Sequence, residues 1–599
     1  MKQVFKKAVV SVLLMLSLVG LAACGQFKAE LVVCVGPNPD TIDPALNSAV
    51  DGATLIIHAF SGLVGYQQDE DGALVLVPDC ATTLPTPTTL AGGKVQYVFT
   101  LKDDLKWSDG TALTAADFEY AWKRAASATL AADYSYMFDV IDGFGGADDA
   151  DGLAPLNVNA SADGKTLTVV LNNAVPYWFE LCAFPTYMPV KQSIVEADPE
   201  GWATKASTYV GNGAYKMTKW VENSKIIYEK NKFYHGADDI TLNSIEFALS
   251  DDDTAILANY KNGTYKLIDS VPNQEIAALK VQYPDELIIA GQLGTYYIIF
   301  NVNDDTLFGD IVTDEATKAE VRKALSLMLD RNYICVSIGQ AGQQPANSFV
   351  PIGLTEPDGL TPFVDKNGPN GDGAGYYSVA AADFASNCAE AVQILKDAGY
   401  TYNETTDKFT DFPSFDYLYN TGSGHQAIAA YLQEAWGAFG INMTPINQEW
   451  NTFLNTRKNG DYSVARNGWL GDYNDPISFL DMWLTTSGNN DAQFGIDSDK
   501  VTAGPQGHAA VAIYGSTHDK TWAETYDVLI NTVKTSSDQT VRFANMHAAE
   551  TLLMETGAIC PLYYYTDLYM IDPSLEGFFA SPLGYKFFMY CTIAEEPAE

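Results

Sequence analysis

Residues 449–476 read EWNTFLNTRKNGDYSVARNGWLGDYNDP. The first part predicts an amphipathic helix, because three apolar residues and one arginine recur there at helical spacing: Trp450, Phe453, Leu454 and Arg457. Asn459-Gly460 follows, and since both residue types tolerate positive φ, the pair predicts the end of that helix. A helix and a tight turn therefore precede the second half of the segment.

The second half predicts a short strand, a polar loop and the start of another helix. Side chains alternate along a strand, so Arg466 points to the same side as the apolar residues two and four positions before it. Asp475 can cap the next helix, with Pro476 as its first residue. Asp472 then lies in the loop from strand to helix, where open α/β folds commonly bind ligands.

Arg466 and Asp472 lie six residues apart with Trp469 between them. This arrangement suits a ligand that carries both charges. A purely structural interpretation fits the same residues, with Arg466 as a surface cation of the strand and Asp472 as a turn former. The residue types alone leave both interpretations open.

The N-terminus has the pattern of an export signal. Three lysines among the first seven residues precede an apolar run over residues 8–21, which is shorter than the roughly 20 residues of a membrane span. The run ends in Leu-Ala-Ala-Cys at residues 21–24, which resembles a lipobox, the motif whose cysteine is acylated. We therefore expect a signal peptide over 1–23 and a lipid anchor at Cys24; an ordinary secretory signal is the alternative.

The overall composition predicts a large globular chain with an acidic surface. The 599 residues carry a net charge of −40, which repels nucleic acid and other polyanions. Hydrophobic residues make up 47% of the chain, enough for a large core, and the length implies two or three domains. Strand-like and helical segments alternate throughout, which indicates an α/β fold.

Motifs for catalysis and metal binding are missing. The chain has no G-x-S-x-G, H-E-x-x-H, G-x-x-x-x-G-K-[ST] or EF-hand pattern, and only 6 histidines. We therefore predict a binding protein with no catalytic residue, metal or cofactor, although residues that converge from distant segments escape such a search. Beyond Cys24, seven widely spaced cysteines are interpreted as buried apolar residues, not as a disulfide framework: Cys34, Cys80, Cys182, Cys335, Cys388, Cys560 and Cys591.

Two segments carry a family resemblance. KWSDGTALTAADFEYAWKRA, from Lys106, contains a capping box and resembles the signature of the large peptide- and nickel-binding receptors. Residues 449–476 closely resemble the ligand-binding region of the oligopeptide-binding proteins, the extracytoplasmic receptors of bacterial peptide ABC importers. The resemblance runs from Thr41 to Pro561 and weakens over 485–507.

The resemblance implies roles for residues on either side of a peptide ligand. Asp472 matches the aspartate that pairs with the α-ammonium, and Arg466 the arginine that receives the C-terminal carboxylate. Arg457 matches a second cationic position, and His425 a histidine near the peptide C-terminus. Tyr134 matches a tyrosine at the N-terminal end, with simple packing at a helix end as the alternative.

Two tryptophans complete the predicted site. Trp450 and Trp469 are expected to wall the cleft, and packing in the core is the alternative for each.

The resemblance also implies an architecture: an α/β, two-lobed periplasmic-binding-protein fold of type II, with an extra domain on lobe one. The expected division, after the signal peptide, is lobe one over 24–60, 189–293 and 565–599, the extra domain over 61–188, and lobe two over 294–564.

We accordingly expect a lipid-anchored monomer on the extracytoplasmic face of the cell membrane. It would capture short peptides in the cleft between the lobes and deliver them to the transmembrane subunits of an ABC permease, without binding nucleic acid. A receptor of the same fold for a nickel chelate, haem or an oligosaccharide is the alternative, and a surface peptidase is a further one.

Overall fold

The structure, a computed structural model, describes residues 29–70, 72–495 and 521–594. The predicted signal peptide and the lipid-anchor cysteine, Cys24, lie outside these residues. Among the residues described, no helix combines the length and apolar character that crossing a membrane requires.

The chain forms a mixed α/β fold. Its strands are β1 (Leu31–Gly36), β2 (Val64–Gln68), β3 (Leu74–Pro78), β4 (Thr88–Thr89), β5 (Val95–Thr100), β6 (Val158–Ala160), β7 (Thr166–Leu171), β8 (Tyr215–Val221), β9 (Lys225–Lys230), β10 (Ser244–Leu249), β11 (Leu267–Ile268), β12 (Leu287–Phe300), β13 (Gln344–Pro345), β14 (Tyr402–Asn403), β15 (Lys408–Phe409), β16 (Phe415–Asn420), β17 (Met443–Gln448), β18 (Val464–Leu470), β19 (Ile559–Ile571), β20 (Leu575–Glu576), β21 (Phe579–Ala580), β22 (Lys586–Phe587) and β23 (Thr592–Ile593).

The α-helices within the described ranges are α1 (Val50–Ala59), α2 (Ala115–Ala125), α3 (Trp178–Ala183), α4 (Gln192–Val195), α5 (Asp253–Lys261), α6 (Ile276–Gln282), α7 (Glu315–Leu327), α8 (Arg331–Tyr333), α9 (Phe384–Asp397), α10 (Ser423–Ala438), α11 (Trp450–Lys458), α12 (Trp522–Thr535) and α13 (Gln539–Glu555).

One sheet of eleven strands organises the molecule. Ten of them follow the order β17-β16-β18-β12-β19-β11-β1-β10-β9-β8, and β13 pairs with β19 beside this path. The long strands β12 and β19 are antiparallel partners, and their register shifts between Gly291 and Thr295. They therefore join two strand groups, which we call group A (β11, β1, β10, β9, β8) and group B (β18, β16, β17).

In both groups, the carboxyl ends of the parallel strands lie beside the same cavity. In group A, β1 is parallel to β10 and to β11. In group B, β16 is parallel to β17 and to β18. Residues that follow these carboxyl ends line a cavity between the groups, which is where open α/β sheets place their ligands.

A separate four-stranded antiparallel sheet, in the order β4-β5-β7-β6, packs with α2. The capping box that the sequence predicts is present: Thr114 precedes α2, and the Asp117 side chain accepts the Thr114 backbone N–H at 2.8 Å. Trp107 and Trp122 are both buried, and the Trp122 indole N–H donates to the Tyr187 carbonyl. The segment that begins at Lys106 is therefore part of the hydrophobic core.

The local predictions for residues 449–476 are confirmed with one correction. The helix α11 begins at Trp450 and ends at Lys458, and Gly460 has φ of 73°. Asp475 accepts the Ile477 N–H and Pro476 comes next, but only a 3₁₀ turn over Pro476–Phe479 follows instead of the expected helix. All eight side chains from 476 to 483 are buried, and one continuous amphipathic helix would turn some of them to solvent.

The seven cysteines in the described part are free thiols. Six of them are buried and Cys388 is half-buried, in agreement with the interpretation of these residues as core residues and not as a disulfide framework.

Candidate functional site

A cavity of about 540 Å³ lies between strand groups A and B. Group A contributes residues that follow β1, β10 and β11, and group B contributes residues around α10, α11 and β18. All seven residues that the sequence singles out line this one cavity: Tyr134, His425, Trp450, Arg457, Arg466, Trp469 and Asp472.

Asp472 lies in the loop after β18 and is 7% exposed. The Tyr134 hydroxyl donates to its Oδ1 at 2.9 Å, and its own backbone N–H donates to Ser478 Oγ at 2.7 Å. Its Oδ2 is buried and accepts no hydrogen bond from any described residue. Burial raises the pKa of this carboxyl well above its usual value of 3.8. Asp472 therefore needs a cation beside it to hold its charge.

Arg466 projects from β18 and is half-buried. Its guanidinium lies 5.3 Å from the centre of the Tyr296 ring and 5.9 Å from that of Phe453. Its Nε has no hydrogen-bond partner within the described ranges, and no carboxylate there lies within 4.0 Å of it. The positive charge of Arg466 is thus held against aromatic faces, with no neutralising anion from the described part of the chain.

Arg457 differs from Arg466 in this respect. Its Nε lies 2.7 Å from Asp491 Oδ2, and both side chains are largely buried. Asp491 also accepts the Asn467 side-chain amide at 3.1 Å. Arg457 lines the cavity, but its charge is already balanced within the protein.

His425 lies in the first turn of α10, as its sequence context predicts. Its Nδ1 is 3.1 Å from the Tyr296 hydroxyl, and the two rings stack 5.6 Å apart. Burial and the nearby charge of Arg466 lower the pKa of this imidazole well below 6.5. His425 is therefore neutral at pH 7 and offers a hydrogen bond, not a charge.

Three aromatic residues of the site line the cavity and also pack against neighbouring side chains. Trp469 is 9% exposed, and its indole N–H donates to the Ser478 carbonyl at 2.8 Å. Tyr134 packs beside it with 6.3 Å between ring centres. Trp450 is half-buried and stacks on Phe453. Each of the three also faces the cavity.

Sequence reasoning missed the contacts that close the cavity between the strand groups. The backbone N–H and the hydroxyl of Ser423, at the start of α10, donate to Asp253 Oδ2 at 3.2 and 2.7 Å. Asp253 opens α5, 170 residues earlier. Lys458 likewise contacts Asp133 and the Ser48 hydroxyl. No local pattern marks such pairs, because each forms between distant segments.

Metal-ligating side chains come together at one place among the residues described, away from this cavity. Atoms of Asp79, Cys80 and His235 lie within 4.8 Å of one another. His235 Nε2 already pairs with Asp79 Oδ1 at 2.8 Å. Burial raises the pKa of the Cys80 thiol well above 9.0, which disfavours the thiolate that a metal requires.

The model of the bacterial extracellular solute-binding proteins, family 5 (Middle), matches residues 76–491. This chain belongs to that family. It is also 31% identical to the periplasmic oligopeptide-binding protein OppA of Salmonella typhimurium, over 80% of this chain and 79% of the relative. This solute-binding protein is accordingly extracytoplasmic, like its relatives.

Solved structures confirm the predicted fold class. The Haemophilus influenzae OppA complex with the peptide RPPGFSPFR has a TM-score of 0.76 at 26% identity, covering 95% of this chain and 100% of that one. The Escherichia coli murein tripeptide-binding protein MppA also has a TM-score of 0.76, at 27% identity, with 95% and 99% covered. The solute-binding protein is therefore an α/β, two-lobed periplasmic-binding-protein fold of type II.

The relative position of the lobes differs from that in the open form of a relative. The unliganded open form of MppA gives a TM-score of only 0.56 over 95% of this chain and 98% of that one. Because the other MppA structure gives 0.76 at similar coverage, the lobes of this solute-binding protein are arranged differently from those of the open form.

Proposed function

We propose that this solute-binding protein captures short peptides between its lobes and delivers them to an ABC permease. One observation carries the proposal: the same cavity presents an aspartate with a buried, unpartnered oxygen and an arginine with no carboxylate within 4.0 Å in the described part of the chain, Asp472 and Arg466. A zwitterion satisfies both. The Salmonella and Haemophilus relatives, named for oligopeptide binding, support the same ligand class.

The termini of the peptide would determine its orientation. Its α-ammonium lies against Asp472, with Tyr134 holding the carboxylate in position, and its C-terminal carboxylate lies against Arg466. Neutral His425 and the remaining N–H groups of Arg457 add hydrogen bonds at that end. Trp450 and Trp469 wall the cavity, and strand-like backbone bonds hold the peptide without reading its side chains.

Binding would close the lobes about a hinge. The expected bounds are lobe one over 24–60, 189–293 and 565–599, the extra domain over 61–188, and lobe two over 294–564. The register shift of β12 falls at the first crossing and supports a bend there. Cleft closure of this kind sequesters the ligand from water.

The remaining expectations belong to the same proposal. The protein acts without catalysis, cofactor or metal, as a monomer, and Cys24 carries the lipid that holds it at the membrane. The transmembrane subunits of the permease are its partner.

Calorimetric titration of the empty protein tests this function. Trialanine is expected to bind, whereas N-acetyl-trialanine and trialanine amide, each lacking one terminal charge, bind at least tenfold more weakly. Mass spectrometry after incubation should return trialanine uncut. Equal binding of the blocked peptides contradicts the assignment, cleavage supports a peptidase, and binding only of a nickel chelate, haem or an oligosaccharide supports another receptor of this fold.

A further inference from the structure

Among the described residues, more negative than positive side chains line the cavity. They are six aspartates, against two arginines and one lysine. Most of the aspartates have partners: Asp491 pairs with Arg457, Asp269 with Lys586, and Asp253 accepts two serine hydroxyls. Asp251 is exposed to solvent.

Two aspartates remain open once these partners are assigned. Asp472 Oδ2 and Asp51 Oδ2 are both buried and accept no hydrogen bond from the described residues. Of the described cationic side chains that line the cavity, only Arg466 remains, because Lys458 contacts Asp133. A peptide with no charged side chain uses Asp472 and Arg466 and leaves Asp51 unmatched. An unmatched carboxylate in a desolvated cleft is costly.

Asp51 lies in the first turn of α1 and faces the cavity. No lysine, arginine or histidine of the described chain lies within 4.0 Å of its carboxylate oxygens. Burial raises the pKa of this carboxyl to about 6, with opposing effects from neighbouring N–H groups. The last torsion of an aspartate is soft, so the carboxylate can turn either oxygen toward a ligand.

Trp450 lies beside this carboxylate. Its indole N–H is close enough to lower the pKa of Asp51, yet it completes no hydrogen bond within the described part. Trp450 is half-buried and lines the same cavity. A carboxylate and an aromatic side chain that line the same cavity side by side are a combination that binds an ammonium or guanidinium group.

We infer that Asp51 and Trp450 form a subsite for a basic side chain, so that this protein prefers peptides containing lysine or arginine. The inference rests on the proposed function: the peptide termini occupy Asp472 and Arg466, and the basic side chain occupies the third charged position. The ligand class is a short peptide of net charge +1.

The test compares tripeptides that differ at one side chain. Lysine is placed in turn at each position of trialanine, and each peptide is matched with its norleucine counterpart, which has a similar length and no charge. Calorimetry at 150 mM salt is expected to show at least one lysine peptide binding tenfold or more tightly than its norleucine match. Asp51→Asn should reduce that ratio to below threefold, and it should leave the affinity of the norleucine peptide unchanged or raise it, because the unmatched carboxylate is gone.

A matched variant distinguishes binding of the basic side chain at this subsite from a general attraction between a basic peptide and an acidic protein. Asp40→Asn removes the same charge from a nearby exposed position that does not line the cavity, and it should retain the tenfold ratio. A ratio near one in the unmodified protein overturns the inference, as does a ratio that Asp51→Asn leaves unchanged or that Asp40→Asn lowers equally. If no tripeptide binds at all, the proposed function fails as well, whereas equal binding of lysine and norleucine peptides refutes only the subsite.

Discussion

The Tyr134 hydroxyl donates to Asp472 Oδ1 at 2.9 Å, although 338 positions separate the two residues. Tyr134 lies in the range expected for the extra domain, and Asp472 in that expected for lobe two. Their contact holds the carboxylate at the edge of the cavity while leaving its second oxygen open. Two distant segments of the chain therefore meet at one ligand position, and the loop that carries Asp472 follows the strand that carries Arg466.

Removing the Tyr134 hydroxyl should weaken binding through Asp472. A hydrogen bond to a charged group contributes about 1.5–3 kcal/mol, so Tyr134→Phe is expected to lower the affinity for trialanine by about tenfold. It should also move the pH at which binding is half lost to a higher value, because the carboxylate is less stabilised. Calorimetry from pH 5 to 9 measures both effects. An unchanged pH profile contradicts this positioning role.

Asp472→Asn is expected to abolish recognition of the ammonium. Truncating one partner of a buried charge pair costs about 2–5 kcal/mol, so trialanine should bind at least thirtyfold more weakly, while N-acetyl-trialanine changes little. In the empty protein the pKa of Asp472 is raised above its value in the unfolded chain. Ionising this carboxyl therefore destabilises the folded protein, and the loss of stability grows as pH rises from the unfolded pKa to the folded pKa. Asp472→Asn should therefore raise the melting temperature of the empty protein at pH 7; a large decrease would contradict the assignment of an unpaired carboxylate.

Substitutions at Arg466 and Arg457 should affect different properties, the first peptide binding and the second the stability of the fold. Arg457→Gln leaves Asp491 buried without its cation and is expected to lower the free energy of unfolding by about 3–5 kcal/mol. Arg466→Gln breaks no pair with a carboxylate in the described chain, so it should change stability little but remove the preference for trialanine over its amide. Denaturant unfolding and calorimetry measure the two effects. The reverse pattern would transfer the carboxylate role to Arg457.

The contact between Asp253 and Ser423 should stabilise the closed arrangement of the lobes. Asp253→Ala removes the acceptor of two hydrogen bonds from Ser423, and a bond to a charged group contributes about 1.5–3 kcal/mol. We expect peptide to dissociate at least tenfold faster and the empty protein to have a larger radius of gyration in X-ray scattering. Asp251→Ala, at an exposed neighbouring position, is the control and should change neither. Equal dissociation rates in all three proteins would show that this contact does not hold the lobes.

Glu550 should give the protein a pH-dependent stability. Its Oε1 accepts the backbone N–H groups of Phe349 and Val350 at 3.0 and 2.7 Å, and burial raises its pKa from 4.5 to about 7. Because the folded state holds the proton more tightly than the unfolded state, this group's contribution is present below pH 4.5 and is lost as pH rises to 7. The amide oxygen of Glu550→Gln can accept the same bonds. The difference in unfolding free energy between the two proteins should therefore shift on the order of 3 kcal/mol between pH 4 and pH 8; parallel curves would contradict it.

Short-range patterns predicted much of the candidate site. The spacing of apolar residues predicted the helix α11, and the Asn-Gly pair predicted its end, which falls at Lys458 with Gly460 at positive φ. Asp475 and Pro476 marked the end of the ligand loop, although the helix expected after them is a 3₁₀ turn. These features depend on backbone preferences and side-chain periodicity within a few residues, so they can be inferred without knowing what lies elsewhere in the chain.

The charge state of each site residue depends on distant partners. No local pattern predicts that Asp491 balances the charge of Arg457 whereas aromatic rings surround Arg466. Asp51 lines the same cavity as Trp450, a residue 399 positions later in the chain. The order of residues along the chain thus established the helices, the turns and the presence of opposite charges. Which charges are neutralised and which stay open to a ligand follows from burial and long-range contacts, because electrostatic energies depend on distance and solvent access in space.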